Sequence, residues 1–594
     1  MMRNLHNLKE KIIAQSPTEE QTEAIFSEDE EFLLRAAPGS GKTWTSCRRF
    51  IWRGAQWDYE SGGIALMSFT NVAIREFKNA TARVGRGDLL SDPNYVGTFD
   101  SFVERFIITP FGHLISDTTK RPKLFSSPRP SDWDDPNLKV WVKTNGRNIP
   151  KHAWQVIPFP EDDKIKFKTS NFYNDQVLPF EQAKNAVLSL LGSGYYTHAQ
   201  RAFWGVILLS KRPHIASLLA RRFPVIIVDE AQDTNAWLIV LLNLIREKGS
   251  KITLVGDPDQ CIYEFSMADA TSLLNLKDKW EIPEKPLSKS FRCNDQIASV
   301  VKVIGGNKGF TGYGPSNRAE YKAYVYCESS DDYQGSVDTF QGKLKSLKLD
   351  RDKSAIVCRG HKELELMRGK VNYKDLQGSA KRLAKAAFLR DSMNDFHEAS
   401  KTVEKVLREI TGDDPYWEII NEKPDSIEAR HMALCIWRFV KDGNKLPSVN
   451  LVGSNWISTV KKNIEDLIVE IGLNPISGLG YKINKRGLSN DQLSLPLFVV
   501  LNEFPKIRTE TIHKVKGESI DAVMTVGSTR FWNSVVDAIE NGENTEDRRL
   551  AYVAMTRARH FLFVSLPENH FNTHSKKWVK WGFEVIDSSE TIIN

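Results

Sequence analysis

The sequence predicts an α/β fold: two halves built on parallel sheets, each interrupted by an insertion. Three observations predict it. A short apolar run, Phe32 to Leu34, passes through a glycine-bearing turn into a helix-forming stretch, Thr43 to Trp52. Four further apolar runs follow with helical patterns among them, and each ends in a polar cluster. A second series of such runs extends from Tyr324 to Ser565. Strands alternating with helices mark a parallel sheet, and ligands of open α/β sheets gather at the carboxyl ends of the strands.

In order, the first series predicts strands at Phe32–Arg35, Ile64–Ser68, Tyr95–Thr98, Val225–Val228 and Ile252–Val255. Their tips carry Phe69-Thr70-Asn71, Phe99-Asp100-Ser101, Asp229-Glu230 and Gly256-Asp257-Pro258-Asp259-Gln260. Between Phe111 and about Arg201 the alternation stops, and Pro, Asp, Lys and Trp133, Trp141 and Trp154 precede a helical stretch near Gln182 to Leu191. This part reads as an insertion into the first half. The second series predicts strands at Tyr324–Cys327, Ala355–Cys358, Thr509–Ile512, Ala522–Val526 and Phe561–Ser565. Its own interruption, roughly Lys370 to Pro496, is charged and helix-forming and closes on a hinge-like stretch from Asn474 to Gly480.

Composition sets wide bounds. The 594 residues, 41% of them apolar, suffice for several cores. A net charge of +6 is compatible with a nucleic-acid partner and does not demand one. The six cysteines are scattered, none at CxxC spacing, which argues against a zinc site or a disulfide framework. No apolar run is long enough to span a bilayer, and Met1 to Ile13 lacks a signal-peptide core. The expectation is a soluble cytoplasmic protein without membrane contact.

The stretch Ala36-Ala37-Pro38-Gly39-Ser40-Gly41-Lys42-Thr43 has the chemistry of a phosphate loop. Gly39 and Gly41 let backbone N–H groups turn inward around a polyphosphate, and the following helix adds its positive end. Lys42 is placed to reach the β- and γ-phosphates of ATP, and the Thr43 hydroxyl to hold Mg²⁺. Ala36 stands where the usual pattern begins with Gly. Val225 to Val228 suits a strand buried on both faces. At its tip Asp229 is a candidate Mg²⁺ ligand beside Thr43, and Glu230 a candidate base for the attacking water. Arg292 and Arg557, both from the second half, are candidates to meet transition-state charge across an interface.

Gln21, Ala36–Thr43, Ser68–Asn71, Gly97–Ser101, Asp229–Asp233, Val255–Tyr263, Phe291-Arg292, Thr511–Gly517 and Arg548–Ala558 occur in an order that resembles the UvrD/Rep/PcrA group of superfamily 1A DNA helicases. The resemblance spans Gln21 to Arg559. It implies two RecA-like lobes with mainly helical insertions: lobe 1A at 1–110 and 201–285, insertion 1B at 111–200, lobe 2A at 286–370 and 496–594, and insertion 2B at 371–495. It implies an ATP-driven motor moving 3′ to 5′ on single-stranded DNA and unwinding tailed duplexes. By motif position Gln21 would read the adenine edge. Ala37, Pro38, Gly39, Ser40, Gly41, Lys42 and Thr43 would cradle the phosphates. Gln260 would sense the γ-phosphate, and Arg292 and Arg557 would touch it.

Several residues depart from the family pattern. Trp44 replaces an Arg that lies against adenine, and Phe291 stands where Tyr is common. The two rings either sandwich the base, keeping the stacking energy, or Trp44 packs in the core at the start of its helix. Ser266 replaces a DNA-contacting Arg, Asp100 a His, and Glu518-Ser519 a Leu-Glu that meets the ribose. For the DNA track the expected residues are Phe69, Asn71, Phe99, Tyr263, Phe265, Arg359 and His513: rings for stacking, cations and amides for phosphates, without base-specific reading.

The short stretch after Arg559 leaves the expectation that any DNA cutting belongs to a partner. Short helicases of this kind occur beside a nuclease subunit in bacterial anti-phage systems such as Gabija. Besides the motor, one alternative is a DNA-sensing ATPase subunit that regulates such a nuclease with little unwinding. A P-loop ATPase without a nucleic-acid partner is disfavoured by the stretches at Val255–Tyr263 and Thr511–Gly517.

Overall fold

The computed structural model describes residues 2–586 apart from 58–61, 117–118, 126–134, 145–146, 162–163, 170–176, 263–271, 307–308, 315–321, 330–332, 361–362, 365–366, 368–377, 394, 412–413, 415, 418–419, 421–425, 449–452, 475–482 and 484–506. Two six-stranded parallel sheets organise it. The first contains β1 (Leu33–Ala36), β2 (Ile64–Ser68), β3 (Tyr95–Thr98), β4 (Val225–Val228), β5 (Lys251–Gly256) and β6 (Glu284–Leu287), in the order β6-β1-β5-β4-β2-β3. The strand positions expected from sequence agree to within a residue. β6 is the addition. Its Glu284-Lys285-Pro286-Leu287 has little of a strand's composition, but an edge strand tolerates proline, and β6 pairs only with β1.

Alternation within the strands feeds two separate cores. Leu33, Met67, Ile226, Val228 and Leu254 face one side of the sheet, with Phe102, Ile107 and Trp204. Leu34, Leu66, Val225, Ile227 and Val255 face the other, with Phe50, Ile51 and Phe77. Both faces are covered, so the strands read as continuous apolar runs.

The second sheet contains β7 (Ala323–Glu328), β8 (Ser354–Cys358), β9 (Arg508–Thr511), β10 (Ile520–Val526), β11 (Ala558–Pro567) and β12 (Glu584–Ile586), in the order β9-β8-β10-β11-β7-β12. One of its cores gathers Val325, Val357, Val523, Leu562 and Val564 and takes in Ala37 and Ile262 from the first half. The two halves therefore share buried apolar surface.

The first insertion is not mainly helical among the described residues. Two antiparallel hairpins, Lys139–Thr144 with Arg147–His152 and Val156–Glu161 with Lys164–Thr169, precede its helix Phe180–Gly192. The period-two run Lys164-Ile165-Lys166-Phe167-Lys168-Thr169 carried that signal. The described residues between 367 and 483 form a compact unit of their own. Its helices Ser379–Met393, Phe396–Ile410, Ile427–Lys441 and Gly453–Ile471 close on Leu383, Val403, Ile436, Phe439, Trp456 and Ile464. The stretch 475–480 of the expected hinge lies outside the described residues.

Candidate nucleotide site between the two sheets

The tips of β1, β5 and β4 adjoin, because β5 lies between the other two. The chain leaves β1 through Gly39 (φ +73°) and Gly41 (φ +80°), left-handed conformations that glycine adopts without penalty, and enters helix α1 (Lys42–Gln56) with Gly41 as its N-cap. Ala36 is tolerated where glycine is usual, since it sits within β1, paired with Leu287, at a negative φ. A Cβ on Gly41 would stand 2.8 Å from Gln21 Nε2, and one on Gly39 2.5 Å from Arg292 Cβ. The loop is thus drawn tight against both neighbours. Gln21 closes the capping box of helix Glu19–Phe26, and its amide donates to Ser40 O at 3.0 Å. The Phe291 N–H donates to Gly39 O at 2.9 Å.

Lys42 Nζ donates to Glu230 Oε2 at 2.6 Å, and the Thr43 hydroxyl donates to Asp229 Oδ2 at 3.4 Å. Glu230 has φ +55°, a left-handed conformation costing roughly 1–3 kcal/mol for a residue with a side chain. Gln232 Nε2 also donates to its Oε2. Burial pushes the Glu230 carboxyl up, but Lys42 and then Lys516 outweigh it and hold it at about 2. Glu230 is therefore an anion fixed by cations. Burial, then the charge of Glu230, raise Asp229 to about 7. Asp229 is fully buried and its Oδ1 lacks a hydrogen-bond partner. An orphaned carboxylate oxygen beside a threonine hydroxyl fits a divalent cation. Mg²⁺ is an ion held by one or two carboxylates plus substrate phosphates.

The second half contributes the positive charge. Arg557, 1% exposed, donates from Nη2 to Gln260 Oε1 at 3.2 Å and to Thr556 Oγ1 at 3.0 Å, and from Nε to Val553 O. Arg292 donates to Ser519 Oγ at 2.7 Å and to Thr556 O at 3.3 Å. Every one of these acceptors is neutral. Burial, then the neighbouring Arg292, depress Arg557 to about 9, and burial lowers Arg292 too. The charge of Glu230 opposes the shift at both arginines, which places all three in one electrostatic neighbourhood. Gln260 Nε2 donates to Asp257 Oδ2 at 2.7 Å. Lys42, Glu230, Gln260, Arg292 and Arg557 are thus brought together.

The remaining expected residues divide. Trp44 is partly buried, and the Arg48 guanidinium lies 4.1 Å over its ring. Phe291 is 47% exposed. Asn71 is exposed at the first turn of helix Asn71–Arg83, beside partly exposed Phe69. Phe99 leaves the DNA track: it is 1% exposed and packs in the core, its ring 5.3 Å from that of Phe69. A phenylalanine at the start of a helix under a strand tip is a support, with no face free for a base. Arg359 donates twice to Asp547 at 3.1 Å and lies over the Phe531 ring. His513 Nε2 bonds Ile262 O at 3.1 Å. Tyr263, Phe265 and Ser266 lie outside the described residues. Asp100 accepts from Arg201 Nη1 at 2.6 Å, which ties the helix Phe99–Val103 to the helix Arg201–Lys211. Glu518 accepts two bonds from Arg508, at 2.6 and 2.8 Å. Motif position alone did not single out Lys516, Asp233 or Arg549, whose contacts across the seam are described below.

A phosphate loop on one parallel sheet, faced by two arginines from another, defines the class: a two-lobed P-loop NTPase of the helicase type. Residues 17–281 match the UvrD/REP helicase N-terminal domain, and residues 476–569 the UvrD-like helicase C-terminal domain. The chain belongs to the UvrD/Rep helicase family. It is 22% identical over 624 residues to the ATP-dependent DNA helicase Rep of Buchnera aphidicola, covering 90% of each chain. It is 27% identical over 296 residues to the ATP-dependent DNA helicase PcrA of Bacillus subtilis, covering 48% of this chain and 38% of that one. With PcrA of Staphylococcus aureus it is 25% identical over 308 residues, 48% and 39% of the two chains. The match thus spans well under half the length of these PcrA relatives.

Proposed function

We propose that this protein is an ATP-dependent DNA motor that couples hydrolysis to 3′-to-5′ movement on single-stranded DNA and unwinds tailed duplexes. One observation carries the reading: Lys42, Glu230, Gln260, Arg292 and Arg557, from two sheets, converge on one seam, and among the described residues the two arginines bond only neutral partners. A buried and a half-buried cation, Arg557 and Arg292, bonded to neutral acceptors, are arranged for an incoming polyanion.

In this reading Ala37 to Thr43 wrap the triphosphate, and Gln21 and the ring of Phe291 meet the base. Thr43 and Asp229 would hold Mg²⁺, which would supply charge neutralisation of the triphosphate. Lys42 turns from Glu230 to the phosphates. That frees Glu230 to orient the attacking water and accept its proton. Arg292 and Arg557 stabilise charge developing on the γ-phosphoryl oxygens, and Gln260 links that event to the second half. Phe69, Asn71 and His513 contact the DNA strand, with Tyr263, Phe265 and Arg359 on the same track. A separate nuclease subunit is a fitting partner, and the cytoplasm the fitting compartment. No described helix is long and apolar enough to cross a membrane.

The test is strand displacement on 3′-tailed and 5′-tailed duplexes, with Lys42→Ala as control. Unwinding of the 3′-tailed substrate alone, lost in Lys42→Ala, is expected. ATP turnover by Lys42→Ala near the native rate would refute the site, and unwinding from 5′ tails would refute the direction.

A further inference from the structure

Three basic side chains of the second half, none of which touches the nucleotide in the scheme above, end on one short stretch of the first, and one of them, Lys516, also helps hold Glu230 ionised. Lys516 Nζ donates to Gln260 O at 3.0 Å, Arg549 Nε to Cys261 O at 2.6 Å, and His513 Nε2 to Ile262 O at 3.1 Å. Three successive carbonyls thus accept from three side chains across the seam. Each donor is itself anchored. Lys516 meets both Asp233 oxygens at 2.7 Å, the pair being 10% and 7% exposed. Arg549, 2% exposed, also donates to Asn544 O in its own half. His513 follows β9 in the turn that also carries Lys516.

The stretch they hold has little structure of its own. After β5 comes only the single turn Pro258–Gln260, capped by Asp257. The place of Gln260 is therefore set by whatever grips its main chain. A bond to a carbonyl fixes backbone position whatever the local side chain, and its strength falls steeply once donor and acceptor separate beyond hydrogen-bond distance. Lys516 also spans from Gln260 to Asp233, which closes the turn that begins at Glu230. One ammonium group thus sets the spacing between the stretch bearing the γ-phosphate contact and the turn bearing the water-activating carboxylate.

We infer that Lys516, Arg549 and His513 are positioning residues: they make the reach of Gln260 toward the nucleotide depend on how the second half is seated, and so carry DNA binding to the ATP site. The inference rests on the reading of the seam as an ATPase stimulated by DNA. It adds that the stimulation travels through main-chain carbonyls 260–262.

The experiment measures ATP turnover with and without single-stranded DNA in the full chain. Lys516→Met is combined with Asp233→Asn, so that no buried carboxylate is left unpaired. The stimulation ratio is expected to fall by about tenfold or more, within the usual range of coupling between sites, while KM for ATP stays within about twofold. Arg549→Met is expected to give the same split, and Lys516→Arg, which keeps donors to both partners, to retain most of the stimulation. A purely structural role would lower basal and stimulated turnover together and leave the ratio intact, and that result overturns the inference. So does a rise in KM at unchanged kcat. A native protein that DNA does not stimulate would instead refute the underlying function.

Discussion

Arg557 Nη2 and Gln260 Oε1, 3.2 Å apart, join the two halves of the molecule by a hydrogen bond between a buried cation and a neutral amide. The bond leaves the guanidinium charge uncompensated, since its other acceptors are a hydroxyl and a carbonyl. Arg557→Ala is therefore expected to cut kcat by about 10³-fold or more, the scale of a transition-state arginine. Arg557→Lys should recover little, because one ammonium cannot reach Gln260, Val553 and a phosphate together. Steady-state ATPase kinetics decide it. A loss under about tenfold would remove Arg557 from the chemistry.

Phe69 and Phe99 touch with their rings tilted by 34° but differ in exposure, and their substitutions should separate cleanly. Phe69→Ala is expected to weaken single-stranded DNA binding by about 1–3 kcal/mol with little change in melting temperature. Phe99→Ala removes a core ring and should cost about 3–5 kcal/mol of stability. Fluorescence anisotropy with a labelled oligonucleotide and thermal unfolding check the pair.

Asp100 occupies a position where the family resemblance suggested a DNA-contacting histidine, yet it accepts from Arg201, whose side chain is 4% exposed and also faces Glu104 at 3.7 Å. Asp100→Ala should cost about 1 kcal/mol of stability, an exposed carboxylate bonded to a buried cation. DNA affinity should be unchanged. A binding defect without a stability defect would instead put Asp100 in contact with DNA.

His570 supplies a pH dependence. Its Nδ1–H donates to Asn533 Oδ1 at 2.6 Å, and its Nε2 accepts from Trp578 Nε1 at 3.0 Å. This is the neutral ring, and a proton on Nε2 would break the tryptophan bond. Burial first, then His574 and Lys577, lower its pKa from 6.5 to about 3. The unfolded chain therefore binds the proton more readily, and stability is lost as pH falls from about 6.5 toward 3, by at most about 1.4 kcal/mol per pH unit. Chemical denaturation at pH 7 and pH 5 should reveal the slope. His570→Gln should flatten it.

Much of this was legible before the structure. Val225-Ile226-Ile227-Val228 is apolar at every position because β4 is buried on both faces, and Gly39 and Gly41 announce a left-handed turn. Lys42, Asp229 and Glu230 follow from strand tips that must adjoin. Other features were hidden for physical reasons. β6 is a proline-bearing edge strand, so composition argued against it. Phe99 has the motif position of a base-stacking ring, and only packing reveals that its faces are taken. Lys516 and Arg549 look like ordinary surface cations, because the acceptors of Arg549 are carbonyls, which every residue possesses, and the Asp233 partner of Lys516 is remote in sequence.

The same blindness extends to the contact between Gly39 O and the Phe291 N–H. It links peptide group to peptide group, so the loop that would embrace the triphosphate is stitched to the opposite half by a thread no side-chain scan can cut. Alanine at 291 leaves the thread whole. Proline at 291 would remove the donor but also fix the backbone there; an ester in place of that amide severs the bond and keeps the side chain, so chemical synthesis of the backbone is the sharper tool for asking whether filling the site tugs on its neighbour.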